Sequence, residues 1–210
     1  LTVSTPNLDA LLAEYGMTRQ EGLVIENDSN YYAYRYPQTY LLPSLSSNDI
    51  TAGMTDGMYV FTPVAQGIVK GDSTDDLTLT TLLSTSSTAY AMQDYAEATT
   101  AEQGANDPNG PFNIAVAASN STTGAKVVWV NCPNMLNSQM NSAVSGGNAQ
   151  LLTSAMNWMT GEENGVVIDS KSMSAETLTV PAKATMLLGL LFTIVVPLAF
   201  IVAGIAITLV

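Results

Sequence analysis

Histidine is absent from the 210-residue chain, and cysteine occurs only once, as Cys132. Without histidine the chain lacks the usual general base of serine and cysteine hydrolases and the commonest zinc ligand of proteins. A lone cysteine cannot close an internal disulfide, so oxidation does not staple this fold. Both absences argue against ordinary hydrolytic or zinc-dependent chemistry.

Positive charge is also scarce, because six lysines and arginines stand against 18 aspartates and glutamates, for a formal net charge of −12. A domain with this charge is repelled by nucleic acid phosphates and by anionic lipid. We therefore exclude a nucleic-acid-binding role.

The C-terminal residues 184–210 carry no charge at all, and their only polar side chains are Thr185, Thr193 and Thr208. A hydrocarbon core of about 30 Å requires roughly 20 helical residues, so this run is long enough to cross a bilayer with some tilt. The alternative is a buried core helix, but such helices rarely run this long without a polar face. The sequence therefore predicts an ectodomain at residues 1–176, a juxtamembrane linker at 177–183 and a transmembrane helix at 184–210.

The orientation of this span follows from the basic residues near it. Only Lys171 and Lys183 lie close to its N-terminal side. We expect lysine or arginine to follow Val210, which would place the domain on the extracytoplasmic side of a bacterial cell membrane. Because the chain begins without methionine, we also expect it to be a segment of a longer protein.

The remaining pattern predicts an α/β domain. The first helix is expected to begin at Thr5, as capping residue, and Pro6, and to end at Gly16. The predicted strands are residues 22–25, 58–61, 77–83, 112–118, 126–130 and 165–168. A hairpin at residues 119–124 would make the two strands beside it antiparallel, while residues 94–111 read as a solvated loop. A helix around residues 151–159, closed by Gly161, would complete the strand–helix–strand crossover of a layered α/β sheet.

Residues 27–57 are rich in tyrosine, asparagine and serine. The crowded tyrosines are Tyr31, Tyr32, Tyr34, Tyr36 and Tyr40. Tyrosine provides large contact area at low entropic cost, so this segment is a candidate partner-binding surface. The alternative is that these side chains cover the edge of a sheet.

Few residues are candidates for catalysis, metal binding or cofactor binding. Cys132 follows a predicted strand but lacks the glycines of a nucleophile elbow, which favours a small buried residue over a nucleophile. Asp72, Asp75 and Asp76 lack the spacing of a calcium loop. Since a glycine-rich phosphate loop is also absent, we predict no catalytic, cofactor-binding or metal-binding residues and no cofactor.

Within the span, Pro197 is expected to kink the helix. Ala199 and Ala203 form a pair of small residues four positions apart. Such pairs allow close helix packing in membranes, and we predict that this pair contacts another helix.

Several stretches, in their order along the chain, resemble the gliding-motility GldG family. The stretches are NLDALLAEYG at residues 7–16, EGLV at 21–24, LLSTS at 82–86, GPFNIAVA at 110–117, VVWV at 127–130 and NWMTGEE at 157–163. The resemblance extends over nearly the whole chain. One departure is that residues 131–133 read Asn-Cys-Pro where the family usually has Gly-Asp-Ser.

The resemblance implies an amidotransferase-like α/β fold without its catalytic residues, here its C-terminal part. It also implies a protein that works beside a membrane permease and a cytoplasmic ATPase. Our leading hypothesis is therefore a membrane-anchored, non-enzymatic accessory subunit of an ABC transport system, whose ectodomain binds a substrate or partner outside the membrane. The alternatives are a surface structural or adhesive protein acting through the tyrosine-rich segment, and a hydrolase using Cys132 or serine.

Overall fold

The computed structural model describes residues 5–33, 35–54, 57–161 and 181–208, which form a mixed α/β domain followed by one long apolar helix. The strands are β1 (Met17–Arg19), β2 (Leu23–Ile25), β3 (Tyr40–Leu41), β4 (Ser44–Leu45), β5 (Thr62–Pro63), β6 (Ile68–Lys70), β7 (Leu77–Ser84), β8 (Tyr90–Met92), β9 (Asn113–Asn120) and β10 (Lys126–Val130). The helices are α1 (Pro6–Glu14), a 3₁₀ turn (Pro133–Leu136), α2 (Ser138–Ala143), α3 (Gly147–Thr160), α4 (Ala182–Leu190), a π-helical turn (Leu191–Val195) and α5 (Val196–Thr208).

The main sheet is built around β9. Its described strands lie in the order β1–β6–β9–β7–β4, and β10 also pairs with β9. Each of these pairings is antiparallel, with β7 along one edge of β9 and with β6 and β10 along the other. The α/β class is therefore confirmed with antiparallel sheets. The strand expected at residues 165–168 lies outside the described residues, so the crossover and the amidotransferase-like layering stay predictions.

The predicted hairpin between β9 and β10 is confirmed. Lys126 pairs with Ser119 and Val130 with Ala115. At the turn, the side-chain oxygen of Asn120 accepts hydrogen bonds from the backbone amides of residues 122 and 123, at 3.0 and 2.9 Å. Gly124 adopts φ +71°, a conformation that glycine accepts without strain.

Both faces of the sheet are covered by apolar side chains. Val128 and Val130 pack into the larger core cluster, with Leu151 of α3, whereas Val127 and Trp129 pack into a second cluster with Leu12 of α1. Alternate strand residues point to opposite faces, so one strand supplies both clusters. The two helices thus lie on opposite sides of the sheet.

Lys126 of β10 contacts the C-terminal turn of α3. The Nζ atom of Lys126 donates a hydrogen bond to the Trp158 carbonyl oxygen at 2.7 Å and lies 4.8 Å from the centre of the Trp158 ring. A cation near a helix C-terminus is stabilised by the last carbonyl groups and by the helix dipole. Gly161 then ends α3 with φ +74°, as predicted.

The start of α1 differs from the prediction. Pro6 occupies the first turn as expected, but the Thr5 side chain makes no capping hydrogen bond to the helix amides. Instead its hydroxyl lies 3.3 Å from the Asp9 carboxylate and accepts a 3.0 Å hydrogen bond from Arg19. Arg19 also pairs with Asp9 at 3.0 Å. The Thr5 hydroxyl is therefore bonded to Arg19 of β1 and not to an amide of the first helical turn.

Residues 58–61 do not form the predicted strand, since strand structure begins only at β5, which pairs with β3. The main chain of Phe61 is held by a side chain instead. Asn148, 1% exposed, accepts from the Phe61 amide at 2.7 Å and donates to the Phe61 carbonyl at 2.9 Å. Its amide also donates to the Met135 carbonyl at 2.9 Å. One buried side chain therefore replaces the strand partner that Phe61 lacks.

Glycine at position 147 permits this arrangement. A Cβ atom there would lie far inside van der Waals contact of the Tyr59 carbonyl oxygen. The close approach of α3 to the extended residues 58–61 thus requires Gly147.

The loop at residues 94–111 is solvated, as predicted, with residues 96–106 exposed. Its base is nevertheless fastened to β8. The Asp107 carboxylate accepts from the backbone amides of Gln93 and Gly104 at 3.0 and 2.7 Å, and the Tyr90 hydroxyl donates to the Ala101 carbonyl. Burial raises the pKa of Tyr90, and the nearby Asp107 charge raises it further.

One helix in the described part of the chain is long and apolar enough to cross a membrane. It spans Ala182–Ile207, 26 residues with a mean hydropathy of 2.8, and none of its most apolar stretch is buried. The Leu191–Val195 π-helical turn lies just before Pro197. Proline has no amide hydrogen and its ring clashes with the carbonyl four residues earlier, and a wider turn relieves that conflict.

Candidate functional site

The tyrosine-rich segment folds back on itself as a small hairpin. The Leu42 amide donates to the Tyr31 carbonyl at 2.6 Å, the Ala33 amide donates to the Tyr40 carbonyl at 3.0 Å, and Tyr32 bridges to Leu41. These bonds align residues 31–33 with β3, which in turn pairs with β5. The tyrosine-rich segment therefore belongs in part to a small sheet.

The tyrosines of this hairpin divide between packing and exposure. Tyr36 and Tyr40 stack with their ring centres 5.2 Å apart, and both contact the buried ring of Phe61, at 5.7 and 5.8 Å. Tyr36 is 45% exposed, whereas Tyr31, Tyr32 and Tyr40 are half-buried. The side chain of Tyr34 lies outside the described residues. Tyr40 thus covers the core, and Tyr36 presents its ring to solvent.

The same hairpin holds the start of the long helix. Ala33 forms an antiparallel bridge with Pro181, and the Lys183 amide lies 3.5 Å from the Ser29 carbonyl. Ala182 between them is only 5% exposed. The apolar helix is therefore attached to the domain through backbone contacts with residues 29–33. The sequence carries no signal for this contact, because the two partners are about 150 positions apart.

A buried carboxylate, that of Glu26, lies just before the hairpin in the chain. Glu26 is fully buried, and its oxygens accept from the Asp28 amide at 2.9 Å, the Ser86 amide at 3.0 Å and the Ser86 hydroxyl at 2.6 Å. Charge-assisted bonds of this kind are about twice as strong as neutral ones. Glu26 thereby ties the tyrosine-rich hairpin to the chain that follows β7. The available signal was a charge placed directly after the apolar strand residues 23–25.

Replacing Glu26 by glutamine is expected to destabilise the domain by about 1–3 kcal/mol, because the new amide group meets donors where the carboxylate had accepted. Urea unfolding of the detergent-solubilised protein, followed by tryptophan fluorescence, measures this change. Glu21→Gln removes the same charge at an exposed position and should leave the midpoint unchanged. Equal midpoints for the two variants would contradict the structural role of Glu26.

An open groove of about 480 Å³ lies next to the hairpin. Its lining includes the polar residues Ser44 and Ser47 together with the apolar residues Met54 and Met58. Tyr59 borders the groove and also packs against the cluster that contains Phe61. The groove and the aromatic cluster thus form neighbouring parts of one surface with mixed polar and apolar chemistry.

Cys132 is buried, as predicted, at 2% exposure. Its Sγ atom donates to the Pro63 carbonyl at 3.2 Å. Burial raises the pKa of the thiol to about 11, although contacts with the backbone of Met135 and Asn134 lower it. At neutral pH the group is a protonated thiol, which is a poor nucleophile.

We expect Cys132 to react slowly with an aromatic disulfide reagent at pH 8 in the native protein, and rapidly in urea. The unfolded thiol has a pKa of 9.0 and the native one about 11. Between these values the unfolded chain binds fewer protons, so the native state loses stability as pH rises through this window. The stability advantage over Cys132→Ala should therefore shrink by up to about 3 kcal/mol between pH 8 and 11. A constant advantage, or rapid native labelling, would contradict this environment.

Asp72, Asp75 and Asp76, which lack the spacing of a calcium loop, lie in the turn between β6 and β7. Asp72, Asp75 and Asp76 are exposed, and Asp76 accepts a 2.7 Å hydrogen bond from Thr122. Across the described ranges, no group of three or more histidine, cysteine, aspartate or glutamate side chains is placed to hold a metal ion. The Asp76 carboxylate thus joins the β6–β7 turn to the β9–β10 turn.

In the long helix, Ala199 and Ala203 are both exposed on α5. Their surface is available for contact with another helix, and that contact stays a prediction. Large apolar side chains surround the pair, including Phe200 at 74% and Ile207 at 79% exposure.

No protein-family model matches the chain, and no curated protein matches it. Among solved structures, the chain is similar to one described as the mmIFT52 N-terminal domain, with 17% sequence identity and a TM-score of 0.49. The similarity covers 73% of this chain and 57% of that one, so the chain spans little more than half the length of this neighbour. A likeness at this level assigns no function.

Proposed function

We propose that the protein is a membrane-anchored, non-enzymatic accessory subunit of an ABC transport system, whose ectodomain binds a substrate or partner outside the membrane. The observation that carries the anchoring is the apolar helix Ala182–Ile207, whose most apolar stretch is unburied. An exposed apolar surface of this size is unstable in water and is covered by lipid or by another protein. Its length matches the thickness of a bilayer.

A binding role is supported by the surface beside the anchor. The groove of about 480 Å³ and the exposed ring of Tyr36 offer contact area, and aromatic residues are enriched where proteins bind partners. The single thiol of the sequence, by contrast, is buried and protonated. The chain thus has a surface suited to recognition and a thiol poorly suited to attack.

The transport assignment rests on the ordered stretches that resemble the GldG family. Two of them, at residues 7–16 and 110–117, lie at α1 and β9, which pack in or against the main sheet. The net charge of −12 is consistent with an ectodomain that does not bind anionic surfaces. The permease is the proposed partner of the helix, and the ATPase would join through the permease.

Purification of the tagged protein in a mild detergent tests this proposal. We expect a permease and an ATPase to be recovered with it, and the double variant Ala199→Leu and Ala203→Leu to reduce their recovery, because larger side chains prevent close helix packing. Ile201→Phe enlarges the opposite side of α5 and should leave recovery unchanged. Absence of both subunits would overturn the transport assignment. Recovery of the protein only as self-associated copies would favour the surface-adhesive function instead.

A further inference from the structure

The described start of the apolar helix lies directly against the domain. Residues 29–33 contact Pro181 and Lys183 through the backbone, and Ala182 is buried between them. Ala184 and Thr185 are still half-buried, while Met186 is 69% exposed. The fully exposed part of the helix therefore starts within one turn of the domain.

The length of that exposed part leaves little freedom. Residues 186–207 span about 33 Å at 1.5 Å per residue, against a hydrocarbon core of about 30 Å. With an ordinary tilt the two lengths agree. If the helix crosses the bilayer, the hydrocarbon begins near Met186, and Lys183 lies only about 5 Å before it.

This places residues 29–33 at the depth of the lipid headgroups, a layer about 5–8 Å thick on each side of the core. Tyrosine and lysine are the residues that this layer favours, because an apolar body can face the acyl chains while a polar tip meets water and phosphate. Tyr31 and Tyr32 lie in this stretch, and the side chain of Lys183 is exposed beside it.

We propose that this edge of the domain, residues 29–33 with Lys183, lies within the headgroup layer of the bilayer that the helix crosses. The inference rests on the proposed membrane anchoring and adds a second contact with lipid. A net charge of −12 makes anionic lipid unfavourable, so the contact is with zwitterionic headgroups. Contact at both the helix and this edge holds the domain at a defined height on the membrane surface, with the neighbouring groove at a constant distance from it.

Fluorescence quenching in phosphatidylcholine vesicles tests the placement. The intact protein carries Cys132→Ala and one added cysteine labelled with an environment-sensitive fluorophore, and the vesicles contain lipid spin-labelled at the headgroup. A label at Asn30→Cys should be quenched about threefold or more beyond labels at Thr100→Cys and Thr123→Cys, because quenching falls steeply over distances larger than the headgroup layer. All three positions are exposed, which limits the damage to the fold.

The control at position 123 is chosen for its distance, and the control at position 100 lies in the exposed loop after β8. Thr123 lies in the β9–β10 turn, beyond Lys126 at the start of β10, and β10 extends about 13 Å from Lys126 to Val130 at roughly 3.3 Å per residue. Cys132, which follows the other end of β10, contacts β5. A fourth fluorophore, at Phe200→Cys, reports on the helix. Its quencher is a lipid that carries the spin label deep in the acyl chains. Quenching at position 200 without excess quenching at position 30 would overturn the edge placement alone. An unquenched label at position 200 would overturn the anchoring and this placement together. If Asn30→Cys lowers the urea midpoint of unfolding, the fluorophore is placed at Tyr31→Cys instead. The same excess of headgroup quenching over positions 100 and 123 is then expected.

Discussion

Replacing Ile194 and Ile201 by lysine is expected to move the protein from the membrane fraction into the aqueous or aggregated fraction. Both side chains are exposed on the helix, at 56% and 60%. A lysine near the centre of a transmembrane helix costs about 2.5–3.5 kcal/mol on insertion scales, so two cost roughly 5–7 kcal/mol. This is the largest effect that we expect from any pair of substitutions in the chain. Alkaline extraction of membranes, followed by immunoblotting of both fractions, measures it.

The matched control adds the same two charges elsewhere. Thr99→Lys with Thr100→Lys changes the net charge identically in the exposed loop at residues 94–111, and this variant should stay with the membrane. If the Ile194 and Ile201 variant also stays fully in the membrane fraction, the helix is held by something other than lipid. In that case the anchoring proposal fails.

Asn148→Ala is expected to cost the domain about 3 kcal/mol or more. The substitution removes three hydrogen bonds at once and leaves the amide and carbonyl of Phe61 and the carbonyl of Met135 buried without their partner. Each unsatisfied buried group costs roughly 1–3 kcal/mol. Asn148→Asp should be at least as damaging at neutral pH, because a carboxylate would face two carbonyl oxygens. Urea unfolding followed by tryptophan fluorescence gives the change in free energy.

Asn157→Ala is the control for this experiment. It lies on the same helix, α3, at a half-buried position, so it carries the same gain in helix propensity when asparagine becomes alanine. Its free energy of unfolding should change by less than about 0.5–1 kcal/mol. Equal losses at positions 148 and 157 would show that the helix, not the bonds to Phe61, accounts for the effect.

The two expected results concern the two parts of the proposed mechanism. In the proposal the helix holds the protein in the membrane, whereas the hydrogen bonds of Asn148 hold α3 against residues 58–61. Met58 and Tyr59 of this segment border the groove, and Phe61 packs against the rings of Tyr36 and Tyr40. A destabilised Asn148 variant should therefore lose partner binding while it keeps its place in the membrane.

Features coded by neighbouring residues were predictable. The β9–β10 hairpin joins two apolar runs through a short polar turn, and α1 and α3 show helical spacing bounded by Pro6 and Gly161. Strand β7 likewise alternates threonine with leucine over most of its length. The hairpin and the two helices draw on contacts between residues close in sequence, whereas β7 pairs with the distant β9 and is recognised by its alternation alone. Composition and periodicity are therefore sufficient to find these elements.

Features that depend on distant partners were not predictable in the same way. Residues 58–61 have the apolar, β-favouring composition of a strand, yet their hydrogen bonds go to Asn148, 87 positions away from Phe61. The Thr5 hydroxyl has the identity of a helix cap, yet Arg19 and Asp9 engage it. In both places a tertiary contact outweighs a local preference of about 1 kcal/mol or less.

The amino-acid sequence alone determined that the chain lacks histidine chemistry, is strongly acidic and ends in an uncharged run of bilayer length, because these are properties of composition. Only the tertiary structure decided that residues 29–33 meet the start of that run, that Glu26 is buried with Ser86 as its partner and that Cys132 is buried against the Pro63 carbonyl. Such contacts join segments far apart in the chain, and their energy appears only after the sheet has brought the segments together.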